Sequence, residues 1–251
     1  MNVLITAGGT VEKIDNVRSI SNMSTGKLGS LIADRFGAES TIDQIFYICS
    51  RAALKPQTDK AEIIYVDSVF SLENAVKETL SRTTIDIVIH SMAVSDYRVK
   101  SVTSSALIAD AILSNLDEIN DANAHAAKEK VISLLNTAES LSGADGKISS
   151  AVDDMLIFME RTPKIISLFQ DLAPEAQLVG FKLLHDVPLE TLINTGFQIL
   201  TKNKCSFVLA NDLKDISEEE HIGYLIDKEK NYTRHVSKED IADAIVAATI
   251  Q

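Results

Sequence analysis

The hydrophobic pattern of the chain alternates between two kinds of segment. Short apolar runs without a helical period indicate buried strands, whereas apolar residues at every third or fourth position indicate helices. The pattern predicts strands at residues 3–5, 45–49, 62–66, 85–90, 155–159, 177–184, 206–210 and 223–227, the last of them an antiparallel edge strand. It predicts helices at residues 26–36, 68–81, 163–169, 189–200 and 241–250. This alternation favours a mostly parallel sheet with helices on both faces.

Hydroxyl side chains mark the starts of three of these helices. We expect Ser24 or Thr25 to cap the helix that begins near Gly26, and Ser68 and Ser237 to cap two later ones. A side-chain oxygen at a cap accepts a hydrogen bond from a backbone N–H that the helix leaves unpaired.

Residues 99–146 depart from the pattern, because Ala, Ser, Asp and Asn dominate there and Leu and Ile are sparse. The segment fits two amphipathic helices, at 104–120 and 122–141, or a partly mobile stretch. We therefore predict one α/β domain over residues 1–251, Rossmann-like and doubly wound, with a small helical and β elaboration around 99–160. Within it, residues 99–146 are expected to be an insertion or a flexible segment.

Composition narrows the class of protein. The 251 residues are enough for one large α/β domain or two small ones. A net charge of −12 argues against nucleic acids and anionic membranes as partners. No apolar run approaches the roughly 18 residues of a membrane span. Cys49 and Cys205 lie in apolar runs, as reduced core residues of a cytoplasmic protein would, and we expect no signal peptide.

Two polar loops lie close together near the N-terminus. Gly8 and Gly9 directly follow the first strand, and glycine allows a sharp turn and close approach to a ligand. Residues 20–27 then present hydroxyl groups, an amide and a lysine before a helix, an arrangement that suits an anion. The motifs GxGxxG and GxxxxGK[ST] are both absent, and Leu28 stands where a P-loop needs a hydroxyl group.

The pattern LITAGGT, followed by IDxVRxISNxSTGKLG, runs almost continuously through residues 3–29. It resembles phosphopantothenate–cysteine ligase (phosphopantothenoylcysteine synthetase) in its monofunctional bacterial form. The segments GKISS at 146–150, GFKL at 180–183 and AND at 210–212 extend the resemblance. Ser149-Ser150 and His185-Asp186 depart from the usual bacterial pattern.

The resemblance implies that 4′-phosphopantothenate and L-cysteine are ligated to 4′-phospho-N-pantothenoylcysteine in coenzyme A biosynthesis. A nucleoside triphosphate would activate the carboxylate as an acyl-nucleotide, releasing pyrophosphate and then the nucleoside monophosphate. CTP is favoured over ATP as the co-substrate, and Mg²⁺ is the implied cofactor. The implied partners are a second copy of the chain, as a homodimer, and a separate phosphopantothenoylcysteine decarboxylase in the pathway.

The resemblance also implies the residues of the site. Nucleotide binding is implied for Gly8, Gly9, Ala93, Asp96, Lys147, Phe181, Lys182 and Lys202. Phosphopantothenate binding is implied for Asn22, Ser24, Gly26, Lys27 and Asn211. The implied catalytic residues are Asn22, whose amide can donate to the acyl oxygen that gains charge, and Lys147, at the nucleotide phosphates. Asp96 is the candidate magnesium ligand.

The residues by themselves leave other interpretations open. Asn22 suits a turn, Asp96 suits an Asp-initiated turn, Lys147 suits a solvated loop, and Lys182 suits a strand end. Two other functions compete with the ligase. A nicotinamide-dependent oxidoreductase is disfavoured, because GxGxxG is missing and Ser101 stands where a Tyr-x-x-x-Lys pair beginning at Tyr97 needs a lysine. The other alternative is a non-catalytic nucleotide-binding module.

Overall fold

The computed structural model describes residues 1–137, 140–141, 146–217 and 220–250. Its contacts divide the chain into two compact units. The first unit comprises Met1–Val11, Ser21–Ser95 and Pro163–Gln251, and the second comprises Glu12–Ile20 and Asp96–Thr162. The parts of the predicted insertion at 138–139 and 142–145 lie outside the described residues.

Strands and helices alternate along most of the chain. The strands are β1 (Asn2–Ala7), β2 (Val11–Lys13), β3 (Ser19–Ser21), β4 (Gln44–Ser50), β5 (Ala61–Val66), β6 (Ile87–His90), β7 (Tyr97–Thr103), β8 (Leu156–Arg161), β9 (Gln177–Leu184), β10 (Phe207–Asp212), β11 (Gly223–Ile226) and β12 (Tyr232–His235). The helices are α1 (Lys27–Ala38), α2 (Val69–Arg82), α3 (Ser105–Leu113), α4 (Leu116–Asp121), α5 (Ala124–Thr137), α6 (Ile165–Leu172), α7 (Leu189–Lys202) and α8 (Lys238–Thr249). None of these helices combines the length and apolar character that crossing a membrane requires.

The first unit contains the main sheet. In the described part of the chain it has eight strands in the order β12-β11-β10-β9-β6-β1-β4-β5. The six from β10 to β5 are parallel, whereas β11 and β12 are antiparallel. The predicted Rossmann-like, mostly parallel sheet is confirmed. The position of β11 at the edge was wrong, because β12 pairs outside it.

Both faces of the main sheet are covered by helices. Along β1, Val3 and Ile5 join the apolar layer under α1 and α8, whereas Leu4 joins the layer under α2, α6 and α7. Successive side chains of a strand point to opposite faces, so a strand that is buried on both faces must be continuously apolar. This explains why the parallel strands are short apolar runs in the sequence.

The helix caps were predicted correctly at two of three positions. The Ser68 hydroxyl accepts from the Ser71 N–H at 3.2 Å, and the Ser237 hydroxyl accepts from the Asp240 N–H at 3.0 Å. The prediction that Ser24 or Thr25 caps α1 was wrong. Gly26 occupies the cap in the left-handed conformation, with φ of 70°, and the Thr25 hydroxyl, one residue earlier, accepts from the Lys27 N–H at 3.4 Å.

In its described residues, the second unit contains two small two-stranded sheets and three helices. Strand β7 pairs with β8, and β2 pairs with β3. Of the two helices predicted in the insertion, the second, at 122–141, is found as α5, whereas the first, at 104–120, is divided at Asn115 into α3 and α4. The Asn115 amide donates to the Ala111 carbonyl at 2.8 Å, and the Asn123 side chain accepts two backbone N–H bonds at the start of α5.

Candidate functional site

The parallel strands of the first unit end at one edge of the main sheet, which we call the carboxyl edge. Ligands of open α/β sheets bind outside the carboxyl ends of the strands. Gly8 and Gly9 follow β1 there, and Ala93 lies shortly after the end of β6. Phe181 and Lys182 lie in the second half of β9, and Asn211 lies near the end of β10.

The turn after β1 requires glycine at both positions. Gly8 has φ of +85°, and a Cβ there would lie 2.4 Å from the Ser50 hydroxyl oxygen. A Cβ on Gly9 would lie 2.4 Å from the backbone carbonyl oxygen of Asn22. The Ala93 N–H donates to the Gly8 carbonyl at 2.8 Å, so this turn is fastened to the segment after β6.

The loop before α1 brings Asn22 to this turn. The Asn22 side chain is exposed, and its amide nitrogen donates to the Ala93 carbonyl at 3.3 Å. Because an amide group has two N–H donors, this bond leaves one to contact a ligand. Ser24, Gly26 and Lys27 continue the loop into α1, with Ser24 half-buried and Lys27 exposed. The structure thus brings Gly9, Asn22 and Ala93 together.

A buried histidine lies at the end of β6, and sequence reasoning gave it no role. The His90 Nδ1 is 2.8 Å from the Thr6 hydroxyl, and the ring packs edge-to-face on Phe169. Burial lowers the pKa of His90 to about 4, so the ring is neutral near pH 7. The Met92 N–H also donates to the Thr6 hydroxyl. These bonds join the ends of β1 and β6. The sequence signal that could have indicated this role is a polar residue at the end of an apolar strand.

Polar side chains of β10 hold neighbouring loops in place. Asn211 is buried, and its amide donates to the Ile222 carbonyl at 2.8 Å. The Asp212 carboxylate accepts from the N–H groups of Asp186 and Val187 at 2.8 and 2.9 Å. Burial acts to raise the pKa of Asp212, but these bonds and one from Lys214 hold it below its ordinary value. Asn211 therefore has a structural role, and so does Asp212, whose role the sequence did not suggest.

Lys202 lies at the other edge of the sheet. It is the last residue of α7, which connects the carboxyl end of β9 to the start of the parallel strand β10. Strand β10 has 6 residues, and at about 3.3 Å per residue it separates the two edges by roughly 20 Å. The structure does not bring Lys202 together with the residues at the carboxyl edge.

Asp96 and Lys147 belong to the second unit, where a turn at residues 15–18 organises the segment around Lys147. The Asp15 carboxylate accepts from the Val17 and Arg18 N–H groups at 2.7 and 2.6 Å, and from the Ile148 N–H at 3.2 Å. The Val17 N–H is the main cause that holds the pKa of Asp15 below its ordinary value. The Arg18 guanidinium donates to the Ile148 carbonyl at 3.4 Å.

The residue on the other side of Lys147 is held by the same turn. The Asn16 N–H donates to the Gly146 carbonyl at 3.1 Å. Gly146 has φ of +72°, and a Cβ there would lie 2.2 Å from the Asn16 amide nitrogen. Lys147 is exposed between two anchored neighbours, so its backbone position depends on the 15–18 turn. The sequence suggested a role for Lys147 and gave no indication of this support.

The second unit also contains the candidate magnesium ligand. Asp96 is exposed, and its carbonyl accepts from the Thr162 N–H at 3.0 Å. Within the described residues, no three His, Cys, Asp or Glu side chains form a group that could hold a metal ion. A single carboxylate fits Mg²⁺ bound to a nucleotide, because that ion takes most of its ligands from phosphates and water.

Comparison with known proteins adds a family and several relatives. The family model described as DNA/pantothenate metabolism flavoprotein C-terminal domain matches residues 1–133 and 138–251. The coenzyme A biosynthesis bifunctional protein CoaBC of Thermococcus kodakarensis is 28% identical over 227 residues, covering 90% of this chain and 45% of the relative. The CoaBC protein of Methanocaldococcus jannaschii is 27% identical over 253 residues, covering 97% and 49%. The chain spans about half the length of these curated relatives.

Solved structures share the fold over nearly the whole chain. The DNA/pantothenate metabolism flavoprotein from Streptococcus pneumoniae is 32% identical, with a TM-score of 0.77, and the match covers 98% of this chain and 97% of that one. A Cab2 mutant in complex with phosphopantothenate-cysteine is 16% identical, with a TM-score of 0.66 and coverage of 98% and 85%. At that identity, the second likeness shows the fold alone.

Proposed function

The chain belongs to the DNA/pantothenate metabolism flavoprotein C-terminal domain family, and from this premise we propose that it is a phosphopantothenate–cysteine ligase of coenzyme A biosynthesis. The observation that carries the proposal is the contact between Gly9, Asn22 and Ala93 at the carboxyl edge of the main sheet. This contact places a glycine backbone that a ligand can approach closely next to an exposed amide donor. The CoaBC relatives, which are named for coenzyme A biosynthesis, support the pathway.

The proposed reaction has two steps. A carboxylate oxygen of 4′-phosphopantothenate attacks the α-phosphorus of CTP, or of ATP, forming an acyl-nucleotide and releasing pyrophosphate. The cysteine amine then attacks the acyl carbon, loses a proton and displaces the nucleoside monophosphate, giving 4′-phospho-N-pantothenoylcysteine. Both steps need positioning and charge stabilisation more than a protein nucleophile. When bound, Mg²⁺ neutralises phosphate charge, and Asp96 is the residue proposed to hold it.

The chain's own residues take the following roles in this proposal. The second N–H of the Asn22 amide donates to the acyl oxygen as it gains negative charge. Lys147, held by the 15–18 turn, binds nucleotide phosphates. The remaining nucleotide contacts are assigned to Gly8, Gly9, Ala93, Phe181 and Lys182. The remaining phosphopantothenate contacts are assigned to Ser24, Gly26 and Lys27. Asn211 acts indirectly by holding β11, and Lys202 has no place in the proposal.

We also propose that the chain forms a homodimer through its second unit. Helices α3, α4 and α5 have no buried residue among those described, although the sequence of α3 is strongly apolar. Leu113 is 64% exposed and Leu116 is 41% exposed. Light scattering coupled to gel filtration tests this, and a monomeric mass would overturn it.

The pathway partner and the compartment are proposals as well. We propose that a phosphopantothenoylcysteine decarboxylase takes up the product, since the CoaBC relatives are called bifunctional and are about twice as long as the region they share with this chain. A cytoplasmic location is supported by Cys49 and Cys205, which are both free and buried.

Pyrophosphate release tests the proposed function directly. The assay uses phosphopantothenate and Mg²⁺, with CTP or ATP, each with and without cysteine. Release that requires phosphopantothenate supports the ligase and names the nucleotide. Asn22→Ala should abolish most of this release. Asn136→Ala should not, although Asn136 is also exposed and donates to a backbone carbonyl. Nucleotide binding without release under any condition would favour a non-catalytic binding module.

A further inference from the structure

Two cations from the loop after β4 share the ring of Tyr65, the second-last residue of β5. The Arg51 guanidinium carbon lies 5.1 Å from the centre of the Tyr65 ring, and the Lys55 ammonium lies 5.5 Å from it. The ring is 48% exposed. The Lys55 ammonium also donates to the Arg51 carbonyl, which ties the two residues to each other.

Over the described residues, neither Arg51 nor Lys55 forms an ion pair, although the chain carries a net charge of −12. A cation above an exposed ring gains only a little from the ring, while two cations at 5.1 and 5.5 Å from the centre of one ring repel each other. A doubly charged anion between them would remove the repulsion. The arrangement therefore suits a phosphate group, which both side chains bind well.

The loop that carries these cations is fastened at several points. The Leu54 N–H donates to the Thr25 carbonyl at 2.9 Å, and the Leu54 carbonyl accepts from the Tyr47 hydroxyl at 2.9 Å. The Gln57 N–H donates to the Asp34 carboxylate at 2.6 Å. Side chains on a fixed loop lose less conformational entropy when they bind a ligand, so the site is preorganised.

The register of the sheet locates the cations relative to the candidate site. Ala7, Cys49 and Tyr65 are paired in one row across β1, β4 and β5. At about 4.8 Å between strands, Tyr65 lies roughly 10 Å from the end of β1, where the Gly8 turn begins. That distance matches the reach of an extended small substrate whose other end is at the turn.

We propose that Arg51 and Lys55 bind a phosphate group of a substrate at the carboxyl edge, with Tyr65 holding both side chains in place. The proposal rests on the proposed ligase function. The phosphate has two sources, the monoester of the acid substrate or the nucleotide, and the chemistry is the same for both.

Steady-state kinetics of pyrophosphate release by the full chain distinguish the two sources. Arg51→Ala and Lys55→Ala should each raise the KM for one substrate about tenfold to a hundredfold, with kcat nearly unchanged. The substrate whose KM rises supplies the phosphate. Arg82→Ala is the matched control, because Arg82 is an exposed cation at the end of α2, on the other edge of the sheet. Unchanged KM values for both substrates would overturn the proposal.

Binding of inorganic pyrophosphate separates this proposal from the ligase function, because it needs no turnover. Pyrophosphate should raise the melting temperature of the wild-type chain by more than that of the Arg51→Ala, Lys55→Ala double variant, which keeps only the phosphate contact proposed for Lys147. If the wild type releases no pyrophosphate but this difference persists, the ligase function fails and the phosphate site stands. If the wild type is active and the double variant matches it in KM and in pyrophosphate binding, the phosphate site fails alone.

Discussion

Replacing Gly9 by alanine tests whether the position of Asn22 controls turnover. The new Cβ would lie 2.4 Å from the Asn22 carbonyl oxygen and 3.3 Å from its carbonyl carbon. Since both neighbours are backbone atoms, no side-chain rotation can relieve the clash. The Asn22 segment must therefore retreat by about 1 Å to restore normal contact, at a cost of roughly 1–3 kcal/mol in the free energy of unfolding.

The same displacement moves the Asn22 amide away from Ala93 and from the reacting acyl group. A misplacement of about 1 Å in a reacting geometry lowers turnover on the order of a hundredfold. We expect this loss in pyrophosphate release by Gly9→Ala, at a temperature where circular dichroism shows the variant to be folded.

Gly196→Ala is the matched control for this substitution. Its Cβ would approach the Ile226 Cδ1 to 2.5 Å, but that atom is a side-chain end that can rotate away. Alanine also favours the middle of helix α7 by about 1 kcal/mol. Turnover of Gly196→Ala should match the wild type. Wild-type turnover in Gly9→Ala, or an equal loss in both variants, would refute the reasoning.

Three further predictions concern positioning and stability. Asp15→Asn should lower the rate of pyrophosphate release, because an amide nitrogen cannot accept a hydrogen bond from the Ile148 N–H. Asp227→Asn, a matched change in another turn, should leave the rate unchanged. Equal rates for the two variants would contradict the prediction. Gly26→Ala should lower the free energy of unfolding in urea by about 1–2 kcal/mol, since φ is +70° there; an unchanged midpoint would count against it. Since the pKa of His90 is lowered from 6.5 to about 4, the unfolded chain binds the proton first as pH falls. The contribution of His90 to the free energy of unfolding is therefore fully present above pH 6.5, and about 3 kcal/mol of it is lost as the pH falls to 4. Urea unfolding at a series of pH values measures this loss. An equally steep decline in the His90→Gln variant would exclude His90 as the cause.

Hydrophobic periodicity was sufficient to predict the main sheet and the helices that cover it. Strands β4, β9 and β10 lie within a residue or two of their predicted positions, because burial on both faces leaves a continuous apolar run. Strand β5 was also predicted to within a residue, although it is an edge strand and only partly buried. The missed strands lack this signal. Strand β12 is mostly exposed at the sheet edge, and three of the first four residues of β7 are exposed. A strand held by backbone bonds with little burial has no hydrophobic pattern to detect.

The polar loops were also visible in the sequence, since glycine pairs and hydroxyl-rich segments follow apolar strands there. The N-cap of α1 was not visible in the same way. Local preference favoured Ser24 or Thr25 at the start of α1, but packing of Ala53 against Gly26 accompanies a left-handed glycine instead. Tertiary contact overrode local preference at this point.

Contacts between distant segments required the folded chain. Asp15 and Ile148 are 133 residues apart, and only folding brings that carboxylate to the segment around Lys147. The cations at Arg51 and Lys55 meet Tyr65 because β4 and β5 pair in one particular register. Periodicity reports which face of an element is buried, since burial acts on each residue separately. It carries no information about which two polar groups meet, because that depends on how whole elements pack.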